Sequence, residues 1–599
     1  MKFSKSAGTW LRFPAFALVP AVVLAIYWPA LHAGFIWDDK TFFHDTGWLR
    51  AGPDLIQHVF GLVFGSHSYF RPLGLGAFAV ELRLFGAVPG PMHAVSVGLF
   101  LLDTVLVGIL AERIRTTLAP SSAAPWTPLV AMLVFGLHPV LVETAVWVSC
   151  QFDLLATMFT LLGLICHLAV RSTFLRSVTV AACFFAAACS KEAAVSFPLL
   201  MAVLDWMRPA SAEPGQRTGT MLVRRFAAQF PVYAAVFLAG VAYLALRSSS
   251  IGYLVAHSID QPVDFMTRLQ KVCYTYLAYW KIIVWPVQGL GPVHVVDPAR
   301  FARLDLSNAM IDVAALALLA GGLHLFWRRH LAGALVIAVT SALFPVLHLI
   351  PVNFDDSVYH GRFATLAIAV GAALLPAMLV SVFRSVAPRI ARAAAAFGAA
   401  WLLLAALNVH ATIPLWSDEL PLWSWAAAED PGSVPTRNHL LAIYIDRKEL
   451  ARARELANSL QAAGGDRVNV MLNVAQLDVL ERNPDAAEAS LSRAEEDMRT
   501  SGAEPQQVVG WVTLKADVLR LRGDLAGAEA AYRDAIALDP LVPTTYLALA
   551  MTLVDEHRFE DARAAAREGL ELMAPDRRTE YQQTFEQHLA GAMARTPAD

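Results

Sequence analysis

The sequence predicts an all-α protein in two parts: a polytopic bundle of membrane helices, then an α-solenoid of helix pairs. Three observations carry this. Residues 1–415 hold apolar runs of roughly 20 residues, the length that crosses a bilayer, parted by basic connections. Residues 416–599 have no such run and are rich in Ala, Glu, Arg and Asp. In this second part alanines and large side chains return at a period of 34, the length of a helix-pair repeat. Bulk composition averages over both parts. Of 599 residues 56% are hydrophobic and only 16% charged, where soluble domains carry about 25%. The net charge of −3 says little about partners; no nucleic acid is expected.

The elements follow in chain order. Lys2, Lys5 and Arg12 precede an apolar stretch that runs to about Ala33. It is too long for the core of a signal peptide and lacks a clean small-x-small cleavage site, so it is the first span, with its basic end cytoplasmic. The later basic connections are 111–115, 171–176, 208–225, 327–330 and 384–392. If all of these are cytoplasmic, the spans fall near 13–33, 92–110, 127–147, 154–170, 177–190, 193–207, 226–246, 308–326, 331–350, 363–383 and 393–413. That is about eleven crossings. Residues 267–290 are apolar too, but a full crossing there would put Arg328 and Arg329 outside. A re-entrant or interfacial helix is expected instead. The five cysteines lie in or near apolar stretches without ligand or disulfide spacing, as small core residues do.

In the second part Ala453 and Ala487 are 34 apart, as are Ala528 and Ala562. The interval of 41 between Ala487 and Ala528 fits one insertion near 500–506. Ala528, Tyr532, Ala535 and Pro540 sit where a tetratricopeptide helix pair places them: small residues let helices approach, and proline stops the second helix. About four repeats and a capping helix are expected, forming a concave surface for a polypeptide or partner protein. A solubilising or dimerising appendage is the plainer alternative.

With this topology the polar residues of the membrane part share the non-cytoplasmic face. They are Asp38 and Asp39 after the first span, Arg71, His138, Glu143, Lys191, Glu192, Lys281, His294, Asp355, Asp356, His360 and Arg362. The cytoplasmic loops are simply basic; this face mixes acids, histidines and cations, and ionisable residues at or inside a membrane are functional candidates. The stretch 41–91 adds apolar residues at helical spacing beside His58, Arg71, Glu81 and Arg83, suited to helices lying in the interface plane.

Four motifs stand in order: S-Y-F-R-P-L (68–73), H-P-V-L-V-E-T-A-V-W-V (138–148), S-K-E (190–192) and Y-L-A-Y-W-K-I-I-V-W-P (276–286). Together they resemble the multi-spanning GT-C glycosyltransferases that carry C-terminal tetratricopeptide repeats. The likeness is in particular to the transmembrane-and-tetratricopeptide protein O-mannosyltransferases and their bacterial relatives, over nearly the whole chain. The resemblance implies a GT-C-like catalytic domain over 1–415, a polyprenyl-phosphate sugar donor, and a hydroxyl acceptor on the lumenal or periplasmic face. It implies site roles for the acid pair Asp38 and Asp39, for Arg71, for His138 with Glu143, and for Lys191 with Glu192. The chain departs from the family pattern at Leu141, where a second histidine is common, and at Gln151, where an arginine is. It also has H-G-R-F (360–363) where an E-R-Y-like motif is expected, keeping Arg362 but not the acid.

The chemistry agrees with these residue types. An acceptor hydroxyl attacking an anomeric carbon needs a carboxylate within ~2.6–3.2 Å as general base, and either Asp38 or Asp39 can serve. The phosphate leaving group needs cations; Arg71, Lys191, Lys281 and Arg362 are available, and Arg binds phosphate bidentately. His294, Asp355, Asp356 and His360 are further site candidates. No cofactor is expected. A divalent cation on His138 and His294 with the acid pairs is the alternative, although their spacing is not that of a ligand set. The expected function is an inverting glycosyltransferase in the inner membrane, with site and repeats periplasmic and Ser/Thr of a protein as acceptor. Transfer to a glycan or lipid and a non-enzymatic membrane-anchored scaffold are the other classes. A transporter fits less well, because its polar groups gather at the midplane.

Overall fold

The computed structural model describes residues 15–43, 59–61, 69–118, 126–208, 218–254, 264–303, 305–349, 357–384, 386–464, 467–573 and 575–595. The expected site residues Asp355 and Asp356, and His58, lie outside this set. No strand occurs among the described residues, only one antiparallel bridge between Val295 and Ser357. The rest of the secondary structure is helical, and the chain divides into two compact units.

The first unit takes in residues 1–34, 59–76 and 89–417. Among the described residues seven of its helices are long and apolar enough to cross a membrane: Pro89–Leu118, Val148–Ala169, Thr173–Ser190, Ala227–Ile251, Leu306–Trp327, Gly361–Phe383 and Pro388–Trp416. The chain is a multi-pass membrane protein. Each of the seven coincides with an expected span. The other four expected spans are helical but shorter or broken, at 15–32, 127–146, 192–207 and 331–346. The 127–147 span breaks at His138-Pro139, because proline can neither donate to the turn before it nor clear that turn's carbonyl. Residues 265–284 form one 20-residue helix, which is not among the seven.

Burial separates an inner from an outer set. Pro89–Leu118, Val148–Ala169 and Gly361–Phe383 are 56%, 61% and 56% buried over their apolar windows. Ala227–Ile251 and Leu306–Trp327 are 11% buried and Pro388–Trp416 only 6%. Apolar helices left so bare in a folded chain have lipid as their solvent. The inner helices pack on one another: Pro89–Leu118 lies against Gln151–Ala169 and Thr365–Phe383.

The second unit takes in residues 35–58, 77–88 and 418–599. Four helix pairs make its repeats: Val434–Asp446 with Leu450–Ala462, Val468–Leu480 with Pro484–Ser501, Pro505–Leu521 with Leu525–Leu538, and Pro543–Asp555 with Phe559–Leu572. Pro575–Met593 follows them. Ala453, Ala487, Ala528 and Ala562 are fully buried where paired helices meet. Each pair turns through one left-handed residue: Lys448, Arg482, Gly523 and His557, with φ of 58°, 58°, 82° and 61°. The next amide closes the turn back to the first helix, as Asn483 N–H does to Asp478 O at 2.9 Å and Arg558 N–H to Leu553 O at 2.9 Å. This is the Schellman closure of a helix end.

The insertion expected near 500–506 falls at the non-helical residues 502–504 and in the two helices that flank them. The extra residues lengthen two helices, to 18 residues for Pro484–Ser501 and 17 for Pro505–Leu521, against 13 or 14 in the other repeat helices.

Candidate functional site

The charged residues of the first unit collect where its helices start, stop or tighten into 3₁₀ turns. Arg71 immediately precedes the helix Pro72–Phe85. Glu143 lies on the short helix Leu141–Val146 and Asp153 in the first turn of Gln151–Ala169. Lys191 ends the helix Thr173–Ser190 with extended backbone, and Glu192 opens the 3₁₀ turn after it. Arg362 lies in the 3₁₀ turn Gly361–Ala364. Such breaks free backbone groups and admit polar side chains that a continuous apolar helix would exclude.

Three ion-paired groups form there. Arg71 Nε and Nη2 reach Glu192 Oε2 at 3.1 and 3.0 Å, and the Phe70 N–H donates to Glu192 Oε1 at 3.0 Å. Arg247, from the helix Thr218–Ile251, stands 3.8 Å from the same carboxylate. Lys191 Nζ donates to both oxygens of Asp153 at 2.6 Å. Arg362 donates to Glu143 through Nη1 at 2.7 Å and through its own backbone N–H at 3.0 Å.

Aromatic rings knit the groups into one network. Arg71 lies over Tyr69 and Phe152, at 4.5 and 5.2 Å. Lys191 and Arg362 share the ring of Phe363, at 4.7 and 4.8 Å, and Arg362 also covers Trp147 at 4.8 Å. Two glycines permit the approach. A Cβ at Gly361 would stand 2.8 Å from Glu143 Oε2, and one at Gly74 would stand 2.1 Å from the Phe152 ring.

The network holds four cations, Arg71, Lys191, Arg247 and Arg362, against three carboxylates, Asp153, Glu143 and Glu192. Among the described residues its members are mostly buried. Lys191, Asp153, Glu143 and Arg247 are below 10% exposed at the side chain, while Glu192, at 34%, is the open edge. Burial raises the Glu192 carboxyl, but Arg71 and the Phe70 amide outweigh it and hold the group below the ordinary carboxylate value. Burial, with Arg71 and Arg362 nearby, pushes the Lys191 ammonium down against the pull of Asp153. Clustered, desolvated cations attract an anion, and guanidinium groups suit a phosphate.

The other expected residues fall elsewhere. Lys281 is exposed near the end of the helix Phe265–Val284 and makes no ion pair among the described residues. His138 Nε2 donates to Ile283 O at 2.9 Å, and His360 Nδ1 to Pro292 O at 2.9 Å. These bonds tie down the last turn of that helix, at Ile283, and the segment after it, at Pro292. His294 stacks on Tyr359 at 4.0 Å, and burial lowers it to about 4, so its ring is neutral at pH 7. Among the described residues no three His, Cys, Asp or Glu side chains group as metal ligands do. Gln151 is buried against Ser96, its Nε2 donating to Oγ at 3.1 Å.

Asp38 and Asp39 belong to the second unit. They open the short helix Asp38–Phe43. Asp39 is fully buried, with Oδ2 turned to the Ile36 N–H at 3.4 Å; Asp38 is half-buried. Arg247 and Asp153 were not among the sequence candidates. Asp153 opens an apolar helix after a proline-broken segment, and that position is its one signal. Arg247 heads R-S-S-S at the end of a span and reads as a boundary cation.

No protein-family model matches the chain. It is 26% identical over 289 residues to protein O-mannosyl-transferase Tmtc1 of Drosophila melanogaster, covering 44% of this chain and 32% of that one. It is 28% identical over 166 residues to protein O-mannosyl-transferase TMTC2 of Mus musculus (26% and 18% of the two chains) and 29% over 208 residues to tmtc2 of Xenopus laevis (31% and 23%). The chain thus spans between 18% and 32% of the length of these relatives. Among solved structures, ArnT from Cupriavidus metallidurans bound to undecaprenyl phosphate aligns at 12% identity with a TM-score of 0.35, over 86% of this chain and 79% of that one.

Proposed function

We propose that this chain is a membrane glycosyltransferase that moves a sugar from a polyprenyl-phosphate donor to a hydroxyl acceptor, Ser or Thr of a protein, on the periplasmic face of the inner membrane. The observation that carries the reading is the buried network of four cations and three carboxylates. The relatives named as protein O-mannosyl-transferases support it. The network's clustered cations suit the donor phosphate, and the bare outer helices leave the polyprenyl chain in lipid.

The acceptor oxygen forms a bond to the anomeric carbon while the bond from that carbon to the phosphate oxygen breaks. The bonding pair leaves with the phosphate, where Arg71, Lys191 and Arg362 receive the growing charge. We assign the acceptor's proton to Asp38, the more exposed member of the acid pair. One displacement inverts the anomeric centre. The repeats offer a surface for the acceptor polypeptide.

The test is release of polyprenyl phosphate from labelled donor in the presence of acceptor. Loss of a general base is worth ~10²–10⁴ in rate, so Asp38→Asn is expected to abolish detectable release with donor affinity little changed. Wild-type release by that variant would remove Asp38 as the base. Wild-type release by both Arg71→Ala and Lys191→Ala would reduce the network to a structural role.

A further inference from the structure

The carboxylate of Glu419 bridges the two residues that flank the acid pair. Its Oε1 accepts the Trp37 N–H at 3.0 Å, and its Oε2 pairs with the Lys40 ammonium. Glu419 is 382 positions from Trp37 and begins the helix Glu419–Glu429, behind the N-cap Asp418. Both contacts lie within the second unit. Trp37 has φ of +50°, a left-handed conformation that a bulky side chain rarely adopts without being held. Its indole is held as well: edge-on to Trp423 at 5.0 Å and to His439 at 5.7 Å, with Trp423 stacked on His439 at 3.9 Å. The turn continues through the Asp39 N–H to Ile36 O at 3.0 Å and the Lys40 N–H to Trp37 O at 3.1 Å.

We infer that Glu419 is a positioning residue for the acid pair, so that the start of the repeat unit is part of the catalytic apparatus and not only a surface for a polypeptide. The inference rests on the reading of Asp38 as general base. Two effects follow from the bridge. The Trp37 bond sets the direction in which the next residue, Asp38, leaves the turn. The Lys40 pair occupies an ammonium two residues from Asp38 that would otherwise neutralise the base. Misplacing a catalytic group by about 1 Å costs on the order of a hundredfold in rate.

The test uses the full-length protein in a Lys40→Met background, so that no freed ammonium confuses the comparison. Glu419→Ala is expected to lower kcat on the order of ten- to a hundredfold, with KM for the donor changed less than about twofold. Glu419→Gln, whose amide oxygen still accepts the Trp37 N–H, restores most of that kcat. A merely structural loss would lower the amount of active protein in both variants alike. If Glu419→Ala does not yield monodisperse protein, Glu419→Asp, one methylene shorter, takes its place with the same kcat-only fall expected. Equal kcat for the Ala and Gln variants, or a loss confined to KM, overturns the positioning role. Asp38→Asn run beside them separates the two claims. An inactive Asp38→Asn with unaffected Glu419 variants sinks the positioning role alone, whereas an active Asp38→Asn sinks the base on which it rests.

Discussion

Arg362 meets Glu143 through both side chain and backbone, and that double contact depends on the residue before it. Gly361 brings its backbone so near that a methyl group there would stand 2.8 Å from Glu143 Oε2. Gly361→Ala is therefore expected to break the pair without removing either charge. A hydrogen bond to a charged group is worth about 1.5–3 kcal/mol, and donor turnover should fall by roughly the ten- to hundredfold that this energy implies. Sugar transfer at matched expression checks it; turnover within twofold of wild type would show that the pair can re-form around the methyl. Lys191 and Asp153 differ in kind. Removing one member of a buried ion pair leaves the other uncompensated, at a cost of about 3–5 kcal/mol. Asp153→Ala is expected to lower the melting temperature as well as activity, where Arg71→Ala, at the network's more open end, should lower activity alone.

The repeat helices turn on left-handed residues at 448, 482, 523 and 557, and only one of these is glycine. The intervals of 34, 41 and 34 are those of the buried alanines, so turn and interface keep one register. A side chain in that conformation costs about 1–2 kcal/mol. Arg482→Gly is expected to raise the thermal stability of the full chain in detergent, and Gly523→Ala to lower it by about 1 kcal/mol. The reverse order of melting temperatures would mean that contacts of the Arg482 side chain outweigh the backbone term.

For the molecule as a whole, the proposed position of the repeat unit outside the cytoplasm rests on the basic connections at 171–176, 208–225 and 327–330. A phosphatase fused after Arg595 is expected to be active in the periplasm. An inactive phosphatase with an active cytoplasmic reporter at the same point would invert the topology. Acid should also destabilise the protein. Burial lowers His294 and His439 to about 4, from the ordinary 6.5. Below pH 6.5 the unfolded chain binds protons that the folded chain refuses, so stability is full above 6.5 and falls as pH drops toward 4. Each histidine contributes up to about 3 kcal/mol across that window. Glu192, held below its ordinary value, adds a further loss at lower pH. A melting temperature that stays flat from pH 7 to 4 would show that these rings take up protons without unfolding.

Much of the architecture was legible from one-dimensional patterns because those patterns are themselves the cause. A run of roughly 20 apolar residues must find lipid or a buried bundle, and an alanine every 34 residues must face a neighbouring helix. Hence the seven long spans and the helix pairs stand where periodicity puts them. Residue types of the ion-paired network were legible too, since Arg71, Glu143, Lys191, Glu192 and Arg362 are costly in an apolar chain. Their pairing was not. Arg71 finds Glu192 across 121 positions, Arg362 finds Glu143 across 219, and Trp37 finds Glu419 across 382. Nothing local distinguishes Arg247, which joins the network, from Lys281, which stays exposed. Only packing decides which helix ends meet. Desolvation then selects among the charges, because a cation left in water gains little from a partner and a buried one cannot do without it.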